Sequence, residues 1–180
     1  NIVNGQPAAD SAVALAALGA SVEVMYEDGA ELLSMDRLYA GFGKSTVDST
    51  KSLVTRILIP EAGPGEGSGY ARLEQRKALA LPMVCVAAFL GMVERCRIAM
   101  APVGVGPVRA IEAERFLIGK AAEKEVFSEA GRLALKNANP RDSLIRGSKR
   151  YREEVLPVMV ERALSEALSD AEGREKEVEQ

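Results

Sequence analysis

Histidine is absent from these 180 residues, and so is tryptophan. Without histidine, the chain has no Ser-His-Asp or Cys-His nucleophile pair and no histidine ligand for a metal. Its two cysteines, Cys85 and Cys96, are too few and too widely spaced for a CxxC redox or zinc motif. We predict that both are buried, unpaired thiols in a reducing compartment. Catalysis by the chain alone would rest on carboxylates, Lys, Arg, Ser or Tyr, which favours a bound cofactor.

A basic excess and a long apolar run are also missing. The net charge of -3 argues against nucleic-acid binding, because no excess of positive charge is available to replace phosphate counterions. The longest apolar stretch, residues 79–93, is interrupted by Pro82 and Gly91. It is also shorter than the ~20 residues that a membrane-spanning helix needs. The composition therefore predicts a soluble protein that binds neither nucleic acid nor membrane.

The order of predicted elements in the first third of the chain mixes a helix with strands. A helix beginning at Pro7 is ended by Gly19, and the alternating "ASVEVMYE" predicts a strand. Asp28-Gly29 predicts a hairpin turn into "AELLSM", and "SLVTRILIP" predicts a further strand. Residues 61–69, "EAGPGEGSG", predict a surface loop or interdomain joint that does not pack.

After this joint, three strands and then three helices are predicted. The strands are "YARLEQRKA", "MVCVAAFL" and "RCRIAMAPV", with a "GMVER" turn between the last two. Helices are predicted over residues 107–117, 121–136 and 148–168. Pro157 predicts a kink or break in the last helix, and "SDAEGREKEVEQ" predicts a frayed, charged tail. The fold class is therefore α+β, in two units joined near residue 65.

Two glycine motifs resemble phosphate-binding loops but fail on spacing. "GFGKST" has Leu38 where a P-loop needs its first glycine, so we interpret it as a turn with a solvated lysine. "GVGP" has Arg109 where a dinucleotide fingerprint needs its third glycine. No acid–base pair is predicted either, because the helical glutamates are interpreted as solvated surface charges: Glu112, Glu114, Glu123 and Glu125.

The opening stretch, "NIVNGQPAAD", has the residue types of a cofactor site. Asn1, Asn4, Gly5 and Gln6 supply hydrogen-bond donors just before a helix N-terminus, a position that favours anions. Asp10 follows in the first turn of that helix, where its carboxylate can accept hydrogen bonds from hydroxyls. Donors for phosphate beside an acceptor for a polyol are typical of half a nucleotide-cofactor site. Helix capping alone is the alternative that spacing leaves open.

Five stretches in order resemble the FAD-binding (medium) subunits of molybdenum hydroxylases, the xanthine dehydrogenase and carbon monoxide dehydrogenase flavoprotein family. "NIVNGQPAADSAVALAALGASVEV" is similar to the family's Gly-Gly-Asn loop and following helix. The other four stretches are "MDRLYAGFGKSTVDSTKSLVTRILIP", "YARLEQRKALALPMV", "RIAMAPVGVGPVRAIEAERFLIGK" and "NPRDSLIRGSKRYREEVLPVMVERAL".

The resemblance implies a domain organisation. Residues 1–62 correspond to the C-terminal portion of the FAD-binding domain, residues 68–172 to the flavoprotein C-terminal domain, and residues 173–180 to a charged tail. The second domain is expected to be a small antiparallel three-stranded sheet packed on a helical bundle. The family's N-terminal subdomain, with its pyrophosphate-binding loop, has no counterpart here. We therefore expect a fragment that folds but, after desalting, holds FAD weakly or not at all; stoichiometric flavin absorbance would contradict this.

Site residues follow from the same resemblance. Asn1 falls on the last residue of the Gly-Gly-Asn cofactor loop, and Asp10 on an aspartate that hydrogen-bonds the ribityl side of the flavin. Leu53 falls where an apolar residue covers the isoalloxazine ring. Tyr70 stands on an aromatic that flanks the flavin in some members, and Arg72 replaces the usual lysine of Tyr-x-Lys, keeping the charge but not the geometry.

The function implied is electron transfer in a cytoplasmic oxidoreductase. FAD would pass electrons from 2Fe-2S clusters to NAD or another acceptor, with the chain positioning the flavin. The implied partners are a large subunit carrying the molybdenum cofactor and a small iron–sulfur subunit, and homo-oligomer formation stays open. The competing interpretation is a non-catalytic docking module without a cofactor of its own, in which the helical half forms the interaction surface.

Overall fold

A computed structural model describes residues 1–91 and 95–178 of the chain. Over these residues the fold is α+β, as predicted, with three antiparallel sheets. In this described part, no helix is both long and apolar enough to cross a membrane. In chain order the elements are α1 (Asp10–Leu18), β1 (Ser21–Tyr26), β2 (Gly29–Ser34), β3 (Tyr39–Gly41), β4 (Lys44–Ser45), β5 (Leu53–Leu58), β6 (Gly67–Leu73), β7 (Val84–Leu90), β8 (Arg97–Ala101), β9 (Val108–Arg109), α2 (Ile111–Leu117), α3 (Lys124–Ala134) and α4 (Lys149–Val178).

The first sheet has the order β2-β1-β5 and confirms the predicted hairpin. Tyr26 pairs with Gly29 at the turn, and the alternation of β1 buries Val22 and Val24 on its inner face. Helix α1 starts at Asp10, three residues later than predicted from Pro7. It ends at Gly19 as predicted, because that residue adopts the left-handed conformation that closes a helix (φ 69°).

The larger sheet has the order β6-β7-β8-β9 and contains the three predicted strands. A fourth strand, β9, was missed, because Val108–Arg109 was predicted as the start of a helix. These two residues pair with Met100 and Ala99, so the helix α2 begins only at Ile111. The turn predicted at "GMVER" falls mainly on residues 92–94, which lie outside the described residues.

Helix α4 lies along the outer edge of the larger sheet. The prediction that residues 61–69 do not pack was wrong, because the end of this segment lies against α4. Glu166 accepts a hydrogen bond from the Tyr70 N–H at 3.0 Å, and Asp170 accepts one from the Ser68 N–H at 2.8 Å. The edge strand β6 thus has partners for these two donors. Gly67 and Gly69 are buried where the helix backbone approaches, so these glycines allow close packing rather than flexibility.

Helix α4 is also longer than predicted. It runs for 30 residues, continues through Pro157 without a break, and includes most of the segment predicted as a frayed tail. An Arg174–Asp170 ion pair and the burial of Ala171 support this last part. At Pro157 the neighbouring helix contributes Gly131, where a Cβ would lie 2.5 Å from the proline carbonyl oxygen.

The two predicted units share a hydrophobic core. A cluster of buried side chains joins Val13 of α1 and Val22 of β1 to Cys85 and Ala99 of the larger sheet. A second cluster lies on the other face of that sheet, where Val86 and Ile98 pack against Leu156 and Leu164 of α4. The helix α1 is therefore held against the larger sheet, and its first residue, Asp10, is positioned beside β6.

The corrected packing of residues 61–69 changes where proteolysis is expected. Glu61 is exposed, whereas Glu66 is buried, accepts the Gly63 N–H and pairs with Arg95. A glutamate-specific protease should therefore cut after Glu61 before it cuts after Glu66 or at any site in the helices of the second half. Mass spectrometry of early fragments tests this. Cleavage after Glu66 at an equal rate, or earlier cleavage within residues 111–168, would contradict it.

Candidate functional site

Three of the predicted site residues meet at the N-terminus of α1, where Asp10 contacts two side chains of β6. The Tyr70 hydroxyl donates a hydrogen bond to Asp10 Oδ1 at 2.7 Å, and Arg72 Nε lies 3.6 Å from the same oxygen. Tyr70 and Arg72 are two residues apart on one strand, so their side chains leave the same face of the sheet. Asp10 is separated from them by about sixty residues of sequence, and no local pattern predicts the contact.

Arg72 connects this cluster to the loop after β6. Its Nε also lies 3.1 Å from Glu74 Oε2, and its Nη2 donates to the Ala80 carbonyl. The guanidinium therefore balances two carboxylates and has a fixed orientation. A lysine has a single point charge and could not make this set of contacts in the same geometry.

Tyr70 is partly buried between Asp10 and Cys85. Burial, followed by the charges of Cys85 and Asp10 and the hydrogen bond to Asp10, raises the pKa of Tyr70 well above its usual range. The hydroxyl is therefore protonated at all physiological pH values and acts as a donor to Asp10. A hydroxyl fixed in this way orients the carboxylate; it is not available as a general base.

Asp10 keeps one side open to solvent. Its side chain is 46% exposed, and both contacts above use Oδ1. Among residues 1–91 and 95–178, no hydrogen bond occupies Oδ2. The carboxylate is at the N-terminus of α1, where the helix dipole stabilises negative charge. It has the chemistry expected of an acceptor for a ligand hydroxyl, held in place by Tyr70 and Arg72.

The loop before α1 differs from the prediction in its backbone. The Gly5 and Gln6 N–H groups donate to the Ile2 and Asn1 carbonyls within a turn, so they are not free for a phosphate. Gly5 is required there, because it has φ 58° and a Cβ would lie 2.7 Å from the Lys44 carbonyl carbon. The exposed side chains of Asn1 and Asn4 remain as donors.

Leu53 lies elsewhere in the first unit. It begins β5 opposite Met25, and it is 67% exposed on the face of the sheet that points away from Val22 and Val24. No described contact joins it to Asp10, Tyr70 or Arg72. Its role as an apolar cover for a flavin stays a prediction. The same is true of the predicted cofactor contacts of Asn1, Asp10, Tyr70 and Arg72.

One glutamate predicted to be solvated is buried. Glu114 is 6% exposed, and its carboxylate accepts a hydrogen bond from the Ile98 N–H at 2.8 Å. Arg109 donates one hydrogen bond to each carboxylate oxygen, both at 2.6 Å. It links β8, β9 and α2 and has a structural role. The i, i+5 spacing from Arg109 is not a helical pair, so the sequence pattern gave no signal for it.

Cys85 is buried, as predicted, whereas Cys96 is only partly buried. Burial raises the pKa of both Cys85 and Cys96 to about 12. At pH 8 the thiolate fraction is then on the order of one in ten thousand, so both should be unreactive towards a disulfide reagent in the native protein. In guanidinium both should react fully. Rapid reaction of either thiol before unfolding would contradict this prediction.

Two models of known protein families match adjoining parts of the chain. Residues 70–167 match the family model described as the CO dehydrogenase flavoprotein C-terminal domain, and residues 1–62 match the FAD binding domain in molybdopterin dehydrogenase. The first match covers more than half of the chain. The chain therefore belongs to the flavoprotein-subunit family of CO dehydrogenase and xanthine dehydrogenase.

The relatives that the chain matches are longer than the part it covers. It is 29% identical to the carbon monoxide dehydrogenase medium chain of Afipia carboxidovorans, covering 95% of this chain and 60% of that one. It is 32% identical to the glyceraldehyde dehydrogenase medium chain of Sulfolobus acidocaldarius, covering 92% and 59%. In structure it resembles reconstituted CO dehydrogenase from Oligotropha carboxidovorans with a TM-score of 0.84 at 26% identity, covering 94% and 60%. The chain thus spans about three fifths of the length of these relatives.

Proposed function

We propose that this chain is part of an FAD-binding subunit of a cytoplasmic molybdenum hydroxylase. In this proposal it positions the FAD that passes electrons from 2Fe-2S clusters to NAD or another acceptor. Its partners are a large subunit with the molybdenum cofactor and a small iron–sulfur subunit. The observation that carries the proposal is the match of two adjoining flavoprotein domain models in order along one chain, 1–62 and then 70–167.

The residues of the Asp10 cluster fit one part of FAD. A ribityl chain presents hydroxyl donors, and the open Asp10 Oδ2 is an acceptor for one of them. Tyr70 and Arg72 hold the carboxylate in a single orientation, which lowers the entropy lost on binding. The side-chain amides of Asn1 and Asn4 add donors beside α1. When bound, FAD supplies the acceptance and release of electrons, and these residues supply its position.

The composition of the chain also suits a subunit that positions FAD and holds no metal centre. It contains no histidine and only two cysteines, both with raised pKa. Within residues 1–91 and 95–178, no group of three or more Cys, Asp or Glu side chains could hold a metal ion. In our proposal, the molybdenum and iron–sulfur centres are held by the partner subunits.

Anaerobic mixing of the purified complex with NADH tests the proposed acceptor. If electrons pass between FAD and NAD, NADH should bleach the flavin absorbance first and the iron–sulfur absorbance afterwards. A complex whose flavin is bleached by dithionite but not by NADH would contradict the NAD assignment and favour another acceptor. A complex that contains no flavin would instead favour a docking module.

A further inference from the structure

The largest fully buried side chain is that of an arginine that lies apart from the Asp10 cluster. Arg152, in the first turn of α4, is 2% exposed, and its Nη1 donates to the Pro102 carbonyl at 2.7 Å. Its Nε and Nη2 are also buried, and neither has a hydrogen-bond partner among the residues that the structure describes. Burying donors without partners is costly, most of all when they carry charge. An arrangement of this kind indicates a missing acceptor.

Arg152 lines a small cavity that two more arginines share. Its volume is about 40 Å³, and the polar side chains around it are Asn139, Arg141, Ser143, Arg146 and Arg152. No lining residue is acidic. Asp142 lies outside the lining, where its Oδ1 accepts the Lys149 N–H at 2.8 Å, and its charge is the smallest of the effects on the pKa of Arg152, which it raises. The cavity therefore concentrates positive charge without a matching carboxylate in its wall.

The electrostatics of these arginines agree with an unbalanced cluster. Burial, with the charges of Arg146 and Arg141 as lesser causes, lowers the pKa of Arg152. Burial and Arg141 likewise lower the pKa of Arg146. Arg141 is fixed in turn by the ring of Phe42, 4.3 Å from its guanidinium carbon.

We propose that this cavity binds one small oxyanion, a carboxylate or a phosphate. An oxyanion carries only acceptors, which match the free guanidinium donors of Arg152 and the side chains of Arg141 and Arg146. The size agrees, because a single water needs roughly 10–15 Å³, so the cavity has room for about three waters or one such group. A nucleotide does not fit. The site uses none of Asp10, Tyr70 or Arg72, although Pro7, in the loop before α1, forms part of its wall.

Thermal unfolding of the full chain tests the site with inorganic phosphate and with acetate, each compared with chloride at equal ionic strength. A ligand that binds only the folded state raises the melting temperature as its concentration rises. We expect such a rise for at least one of the two anions. Arg146→Gln and Arg141→Gln should each weaken the apparent affinity by about tenfold, the loss expected for one charge-assisted contact.

Arg150→Gln is the matched control. It removes the same charge from the first turn of the same helix, but Arg150 is largely exposed and pairs with Glu154 outside the cavity. Its response to both anions should equal that of the parent chain. Two results would overturn the proposal: no rise above chloride with either anion, or an equal loss of response in Arg150→Gln and Arg146→Gln, which would show a general salt effect.

Discussion

Replacing Gly69 by alanine is expected to lower the free energy of unfolding by about 3 kcal/mol or more. A Cβ at this position would lie 2.5 Å from the Ala167 N of α4 and closer still to the Ala163 carbonyl oxygen. Both atoms belong to the helix backbone, so no side chain can rotate away to make room. The helix must move off the sheet, so Leu156 and Leu164 of α4 would lose contact with Val86 and Ile98 of the sheet. Chemical denaturation measures the loss.

Gly173→Ala is the matched control for this prediction. Gly173 lies in the same helix α4, and a Cβ there meets nothing within 4 Å. Alanine favours a helix over glycine by roughly 0.5–1 kcal/mol, so this variant should be slightly more stable than the parent. A small effect at Gly69, within about 0.5 kcal/mol of the control, would show that β6 and α4 do not approach as described.

Replacing Asp10 by alanine in the purified complex is expected to weaken FAD binding roughly ten- to hundredfold. A charged acceptor of a hydrogen bond contributes about 1.5–3 kcal/mol, which gives this range. The apoprotein should also lose about 1–2 kcal/mol of stability, because the Tyr70 hydroxyl loses its acceptor at 2.7 Å. Asp10→Asn should give an intermediate loss of affinity, since the amide keeps an acceptor but not the charge. Flavin titration and thermal melting measure the two effects separately.

Tyr70→Phe separates the direct role of Asp10 from its structural role. It removes the same hydrogen bond but leaves the carboxylate in place, so it should cost similar stability and weaken FAD binding less than Asp10→Ala does. If Asp10→Ala lowers the melting temperature while the dissociation constant stays unchanged, Asp10 is a structural residue. The cofactor role at this position would then be wrong.

The sequence predicted those elements whose turns or ends depend on residues close together in the chain. The β1–β2 hairpin follows from Asp28-Gly29 between alternating residues, and the end of α1 follows from Gly19. The start of α2 was placed too early because Val108 pairs with Met100 in a neighbouring strand, and that partner is not visible locally. The glycines at 67 and 69 were interpreted as flexible for the same reason, since α4 approaches them from almost a hundred residues away.

In the candidate site too, the sequence indicated single residues but not the contacts between them. The sequence and the family resemblance indicated Asp10, Tyr70 and Arg72 separately, and the fold brings them into contact. Nothing in the spacing predicted that Tyr70 would orient Asp10, or that Glu114 would be buried beside Arg109. The cavity around Arg152 was also not predicted, because an arginine in an amphipathic helix is usually a solvated charge.

Cofactor analysis of the native complex, purified through a tag on this chain, tests the central claim most directly. We predict that the chain purifies with a molybdenum-containing large subunit and an iron–sulfur small subunit, and that the complex holds FAD equimolar with the chain. Extraction and quantification of flavin, molybdenum and iron from one preparation give the ratios. A stable complex with molybdenum and iron but no flavin, or a chain that purifies with neither partner, would contradict the claim.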